Sequence, residues 1–214
     1  MNYIDNNRKS YDQAAKIYNE KDILKGTNPL FYDPWFRMIF KYYDLSKKNK
    51  CLELGAGTGQ VSEFLSNHNF EVTCLEYSSS MCEYIKSRLP NAKIIEENIL
   101  DVNLKQDEYD LIVAMAFIHC FKESDLKIIL NKVYSAIKSN GYLAICTTVH
   151  NESSEGYFEK EDYDNIIRFR HRWEEDNLIN FLEQNGFEVV DRFYHSELTK
   201  PKRWVSFILR KIND

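Results

Sequence analysis

Lys50-Cys51-Leu52-Glu53-Leu54-Gly55-Ala56-Gly57-Thr58-Gly59-Gln60-Val61 joins an apolar, strand-like run to the opening of a helix pattern, and three of the chain's seven glycines fall inside it. Glycine has no Cβ, so the backbone there takes positive φ and lets another molecule approach more closely than a side chain would permit. The turn therefore reads as a binding loop. Helix pattern resumes at Val61, Phe64 and Leu65, which turns unpaired amide N–H groups and the positive end of a helix dipole toward the loop. An anionic group is expected there.

Two ligand classes use a strand, a glycine turn and a helix in this order: dinucleotides, and S-adenosylmethionine with its carboxylate. Spacing separates them. A Gly-x-Gly-x-x-Gly dinucleotide fingerprint would need its third glycine at position 60, which is Gln60. Glu53 is the second discriminator, because a buried carboxylate is badly placed beside a pyrophosphate and well placed beside an ammonium or sulfonium charge. A cationic cofactor is favoured. Leu52-Glu53-Leu54-Gly55-Ala56-Gly57-Thr58-Gly59 resembles motif I of the class I S-adenosylmethionine-dependent methyltransferases, and the resemblance is strong over residues 50 to 149 and loose elsewhere.

Length and composition fit that resemblance. A chain of 214 residues suits a single domain burying roughly 70% of its unfolded surface. Five cysteines at 51, 74, 82, 120 and 146 form no C-x-x-C pair and read as reduced core residues. No leader pattern opens the chain and no apolar run reaches the ~18 residues of a membrane span, so a cytoplasmic protein without membrane contact is expected. The net charge of −5 gives no general attraction to nucleic acid. The five histidines lack metal-ligand spacing, so no metal is expected. No signal for an oligomeric state is present.

Strand-like runs near 50–54, 70–76, 92–96, 109–115 and 141–149 alternate with helical stretches near 59–67, 79–89 and 124–138, which predicts a parallel sheet. Leu111-Ile112-Val113-Ala114-Met115 is apolar on both faces, as in an α/β doubly wound, Rossmann-like fold covered by helices on both sides. Runs at 187–194 and 203–210 are separated by a loop around Thr199 to Lys202 that is too short for a helical crossover, so they are expected to be antiparallel neighbours. The resemblance implies a seven-stranded sheet whose last strand is antiparallel. The expected divisions are a helical lid over 1–48, a cofactor-binding core over 49–149, an acceptor-side insert over 150–172, and a closing helix and strand pair over 173–214. Phe31, Tyr32, Trp35 and Phe36 are among the aromatics of the lid.

In such sheets ligands bind beyond the carboxyl ends of the strands. The resemblance implies that Gly55, Ala56, Gly57 and Gly59 shape the methionyl site with Glu53, and that Ala114 lies on a cofactor-lining strand. Glu76 ends the second strand, where it reads either as a partner for two ribose hydroxyls or as a solvated strand-end charge. Tyr77 and Met81 are placed by the resemblance on the adenine face. Asn98, with Ile99, stands where the family usually carries an acid, and it keeps an acceptor oxygen. Asp101 reads as a turn residue.

On the acceptor side, His119 and His150 follow the fourth and fifth strands and are candidate bases, each with a core-residue alternative. Tyr11 and Tyr18 lie seven apart on one helix face, where they either cap the cofactor or pack the lid. Arg168 and Arg170, within Arg168-Phe169-Arg170-His171-Arg172-Trp173, are suited to gripping an acid group on the acceptor. The surrounding acids favour instead a solvated, internally paired helix. The expected activity is transfer of a methyl group to an oxygen or nitrogen of a small molecule by in-line displacement. A tRNA or protein methyltransferase and a non-catalytic cofactor-binding module stand as alternatives.

Overall fold

The computed structural model describes residues 2–21, 29–196 and 202–212. Two helices, α1 (Tyr3–Glu20) and α2 (Pro29–Phe40), precede a sheet formed by β1 (Asn49–Leu54), β2 (Phe70–Glu76), β3 (Lys93–Glu96), β4 (Tyr109–Met115) and β5 (Ile137–His150). These five pair in parallel in the order β3-β2-β1-β4-β5. Between them run α3 (Gln60–Ser66), α4 (Ser79–Arg88) and α5 (Glu123–Ala136). Period-2 alternation divides β1 between two cores. Leu52 and Leu54 face α5, meeting Leu126 and Ile129, while Cys51 faces the opposite side with Trp35, Phe36, Leu65 and Ile85. Helices thus cover both faces, as the doubly apolar β4 required.

A hairpin follows, β6 (Ser154–Lys160) with β7 (Ile166–Glu174), then α6 (Glu175–Gln184), β8 (Phe187–Ser196) and β9 (Arg203–Lys211). β9 runs antiparallel beside β5, from Tyr142 opposite Arg210 to Val149 opposite Arg203, and β8 runs antiparallel beside β9. The expected seven-stranded sheet is therefore present as β3-β2-β1-β4-β5-β9-β8, with β9 its antiparallel member.

Two expectations need adjusting. Residues Arg168 to Trp173 are not helical; they belong to β7, whose Trp173 pairs with Val149 at the end of β5 and is buried beside Phe181. Strand geometry wins because it puts Phe169 and Trp173 into packed positions, which a solvated helix would not. The expected lid is α1 alone. α2 covers the sheet, with Trp35, Phe36 and Ile39 wholly buried, each such side chain worth roughly 1.5–3 kcal/mol of burial. The side chains of Phe31 and Tyr32, and residues 199–201, lie outside the described residues.

α1 begins at Asn2, whose side chain accepts from the Ile4 amide at 3.1 Å, an N-cap that satisfies one orphan donor. It is fastened along both edges. Asn7 clamps the Phe169 backbone of β7 by accepting from its N–H at 2.7 Å and donating to its carbonyl at 3.1 Å, and Ser10 donates to the Ile167 carbonyl at 2.6 Å. On the other edge Asp12 accepts from the Ser78 hydroxyl at 2.6 Å and Asp5 from the Tyr77 hydroxyl at 2.8 Å. All five cysteines are unpaired, and no described helix is long and apolar enough to cross a membrane.

Candidate active site

A cavity of about 970 Å³ opens over the carboxyl ends of β1, β2, β4 and β5, roofed by α1 and walled on one side by the β6–β7 hairpin. Its floor is the glycine turn. Gly55, Gly57 and Gly59 all hold positive φ, at 64°, 56° and 81°. Their reasons differ. A Cβ on Gly55 would stand 2.6 Å from the Phe117 ring, and one on Gly59 3.3 Å from Ile85, so these two serve packing. A Cβ on Gly57 would meet nothing within 4 Å, so that backbone lies bare to the cavity.

Two acids flank the turn. Glu53 is buried and accepts a hydrogen bond from the Ser62 hydroxyl of α3, and burial pushes its carboxyl up to about 8. Glu76 is oriented by two amides, Gly57 N–H to Oε2 and Ser78 N–H to Oε1, both at 2.8 Å. Burial raises its pKa too, against the pull of those amides. Each Glu76 oxygen thus carries one amide and keeps free acceptor capacity toward the cavity.

Tyr77, Met81, Asn98 and Ile99 line the same end. Asn98 caps its own turn by accepting from the Leu100 amide at 3.2 Å, and the loop is held by Lys132, which donates to the carbonyls of Ile99, Leu100 and Val102. At the far end His119 is buried, with Nδ1 2.9 Å from the Thr147 hydroxyl. Burial and the charges of Arg170, Arg168 and Lys160 hold its pKa well below the usual 6.5, so the imidazole is neutral. His150 is shifted the same way by burial and by Arg172 and Arg170. Tyr11 and Tyr18 descend from α1 to the same end, where both accept from Arg168.

Most residues singled out from the sequence therefore meet around one cavity. Two do not. Ala114 is sealed within β4 in the core, because the strand continues one residue further before its chain turns; Met115 and Ala116 line the cavity instead. Gly59 faces Ile85 rather than the cavity. Ala116, at φ 52°, and the adjoining Phe117 were not legible, since nothing in an alanine's identity announces a left-handed turn. Asn7 and Arg172 were also missed.

Residues 51–141 match the family model described as a methyltransferase domain. A protein named as an uncharacterized methyltransferase in Alkaliphilus oremlandii is 24% identical, with 95% of this chain and 91% of that protein aligned. The chain carries a methyltransferase domain and is an S-adenosylmethionine-dependent methyltransferase. Malonyl-[acyl-carrier protein] O-methyltransferase of Acetivibrio thermocellus is 28% identical over 74% of this methyltransferase, which spans only 52% of that relative's length. Among solved structures, 1,6-didemethyltoxoflavin-N1-methyltransferase of Burkholderia thailandensis shares the fold, with a TM-score of 0.74 at 12% identity, 96% of this chain and 88% of that one being covered. S-adenosylmethionine is the methyltransferase's cofactor. The residues fit it: a bare glycine backbone, two acids for a cationic ligand that carries a diol, and the apolar Met81 and Ile99 beside a polar Asn98. Among the described residues no cluster of ligating side chains for a metal occurs.

Proposed function

We propose that this methyltransferase transfers the methyl group to an oxygen or nitrogen atom of a small molecule held between the glycine turn, α1 and the β6–β7 hairpin. One observation carries this reading: the cavity does not end at the cofactor residues but runs on past Phe117 to His119, His150, Tyr11, Tyr18 and Arg168. Its volume of about 970 Å³ is at the upper end for small-molecule sites and suits two such ligands side by side. The O-methyltransferase relative favours oxygen as the receiving atom.

The bound cofactor supplies a methyl group on a sulfonium, whose departure leaves a neutral sulfide. The chain's own residues do the rest. The methionyl part lies against the bare backbone of Gly55, Ala56 and Gly57, whose amides donate to the Leu75 carbonyl and to Glu76, and Glu53 takes its ammonium. Glu76 accepts two ribose hydroxyls, one on each oxygen, which its two amide donors have already oriented. Asn98 accepts from the adenine amino group, with Tyr77, Met81 and Ile99 against the ring. Tyr18 closes the roof from α1, and Tyr11 faces the acceptor. His119 and His150 are weak bases where burial has lowered them, so both are assigned to shaping the acceptor space. An acceptor atom that enters as an anion, or as an amine that sheds its proton to solvent after transfer, needs no base here, and acceleration comes from alignment and exclusion of water.

The test separates acceptors by size. With labelled S-adenosylmethionine and the purified full chain, a metabolite fraction free of macromolecules should support release of S-adenosylhomocysteine. Turnover confined to the RNA or protein fraction sinks the small-molecule reading. Release with neither fraction, despite tight cofactor binding, would leave a non-catalytic module.

A further inference from the structure

Alternation along β7 sends Arg168, Arg170 and Arg172 out of one strand face, and all three line the cavity. The outer two are already engaged. Arg168, only 7% exposed, donates through Nη1 to Tyr18 at 3.1 Å and Tyr11 at 3.3 Å, while its buried Nε has no hydrogen-bond partner. Arg172 lies over the Phe158 ring at 3.7 Å. The Arg170 side chain, between them and partly buried, makes neither a hydrogen bond nor an ion pair with any described residue.

None of these partners neutralises a cation. Burial holds the Tyr11 and Tyr18 phenols above their ordinary 10, so they are uncharged at neutral pH. Glu159 and Glu161 of the hairpin also line the cavity, yet neither pairs with an arginine of the trio. Beside burial, the strongest influences on the buried His119 come from the cations Arg170, Arg168 and Lys160. Among the described residues no carboxylate is bonded to any of the three β7 guanidinium groups, although the chain's net charge is −5. Buried guanidinium groups without a counter-charge are unfavourable. The missing charge is therefore one that a ligand brings.

We propose that the acceptor carries an oxyanion, a carboxylate or a phosphoryl group, seated on the Arg170 fork and flanked by Arg168, which Tyr11 and Tyr18 hold in place. Two oxygens of either group match the paired N–H edge of a guanidinium, which a lysine does not reproduce. The inference rests on the small-acceptor reading above and narrows it to acidic molecules.

Calorimetric titration of the full chain saturated with S-adenosylhomocysteine tests it, using benzoate and phenyl phosphate against neutral benzamide. At least one anion should bind tenfold or more tightly than benzamide, and which anion does so assigns carboxylate or phosphoryl. Arg170→Met should lose at least tenfold for that anion while still binding S-adenosylhomocysteine, and Arg170→Lys should recover part of the loss. Equal binding of all three compounds, no saturable anion binding at millimolar concentration, or an unchanged Arg170→Met variant overturns the proposal. The size-fractionated turnover assay then locates the failure. Turnover of neutral small molecules that neither anion inhibits removes the oxyanion site and keeps the small-acceptor reading, whereas turnover of macromolecules alone removes both.

Discussion

Glu53 lies beneath the glycine turn with its carboxyl raised from 4.5 to about 8 by burial, so near neutral pH the free protein carries a proton there that an unfolded chain would have lost. The sign follows from proton counting. Because the native state binds more protons between those values, the contribution to stability is complete below about 4.5 and is lost as pH rises through about 8. Glu53→Gln keeps an acceptor for Ser62 and should flatten that pH dependence in thermal melts. It should also alter binding: an ammonium brought beside Glu53 forces ionisation, so cofactor titrations near pH 6.5 should release about one proton in wild type and none in Glu53→Gln. Calorimetry in two buffers of different ionisation enthalpy reads this directly, and equal release by both proteins would remove Glu53 from the ammonium site. Gly57 makes a second prediction. Alanine there clashes with nothing in the free protein but must hold φ 56°, so Gly57→Ala should lose only about 1–2 kcal/mol of stability while cofactor affinity falls tenfold or more. Such glycines were legible because their identity encodes their freedom; Ala116, in the same backbone region, offered no such sign.

Asn7 joins α1 to the hairpin by two hydrogen bonds to the backbone of one β7 residue, Phe169, and a third, at 3.3 Å, reaches the Cys120 carbonyl. Asn7→Ala leaves buried backbone groups unpaired, at a cost of about 1–3 kcal/mol, which for a chain of this size lowers Tm by roughly 2–12 °C. Because the same clamp positions the roof, acceptor KM should rise more than kcat falls; a change in stability with unaltered kinetics would make α1 mere packing. The segments on which this clamp closes were the hardest to read. From β1 to β5 each element has a period of its own, and the central strands β1 and β4 lie buried on both faces, so pattern and structure agree to within a few residues. Arg168 to Trp173 does not, because its cations face a cavity rather than solvent, and polarity there mimics an exposed helix. α2 misled for the opposite reason: its aromatics were counted toward a lid although they are the cover of the sheet. Residues at this end of the cavity were thus nameable from sequence, but their common wall was not.

Across the whole molecule the cavity is assembled from segments that no local pattern connects, and its roof is bonded at once to β7 and to the start of α4. Ile4 of α1, Trp173 of β7 and Leu54 of β1 share one core, so loosening α1 exposes surface belonging to the sheet itself. The roof, hairpin and sheet should therefore melt as one unit, giving a single calorimetric transition whose van't Hoff and calorimetric enthalpies agree. A ligand bound only by that unit shifts the whole transition. S-adenosylhomocysteine at 100 times its Kd adds about 2.7 kcal/mol, which should raise Tm by roughly 5–11 °C without splitting the peak. If Glu76 takes the ribose as proposed, Glu76→Ala should abolish most of that shift at the same concentration, whereas Arg170→Met, at the far end of the cavity, should keep it. If the ligand instead divided the transition in two, the roof and hairpin would be folding separately from the sheet. The acceptor space would then form only after the cofactor had bound, and Asn7→Ala would change the smaller transition alone.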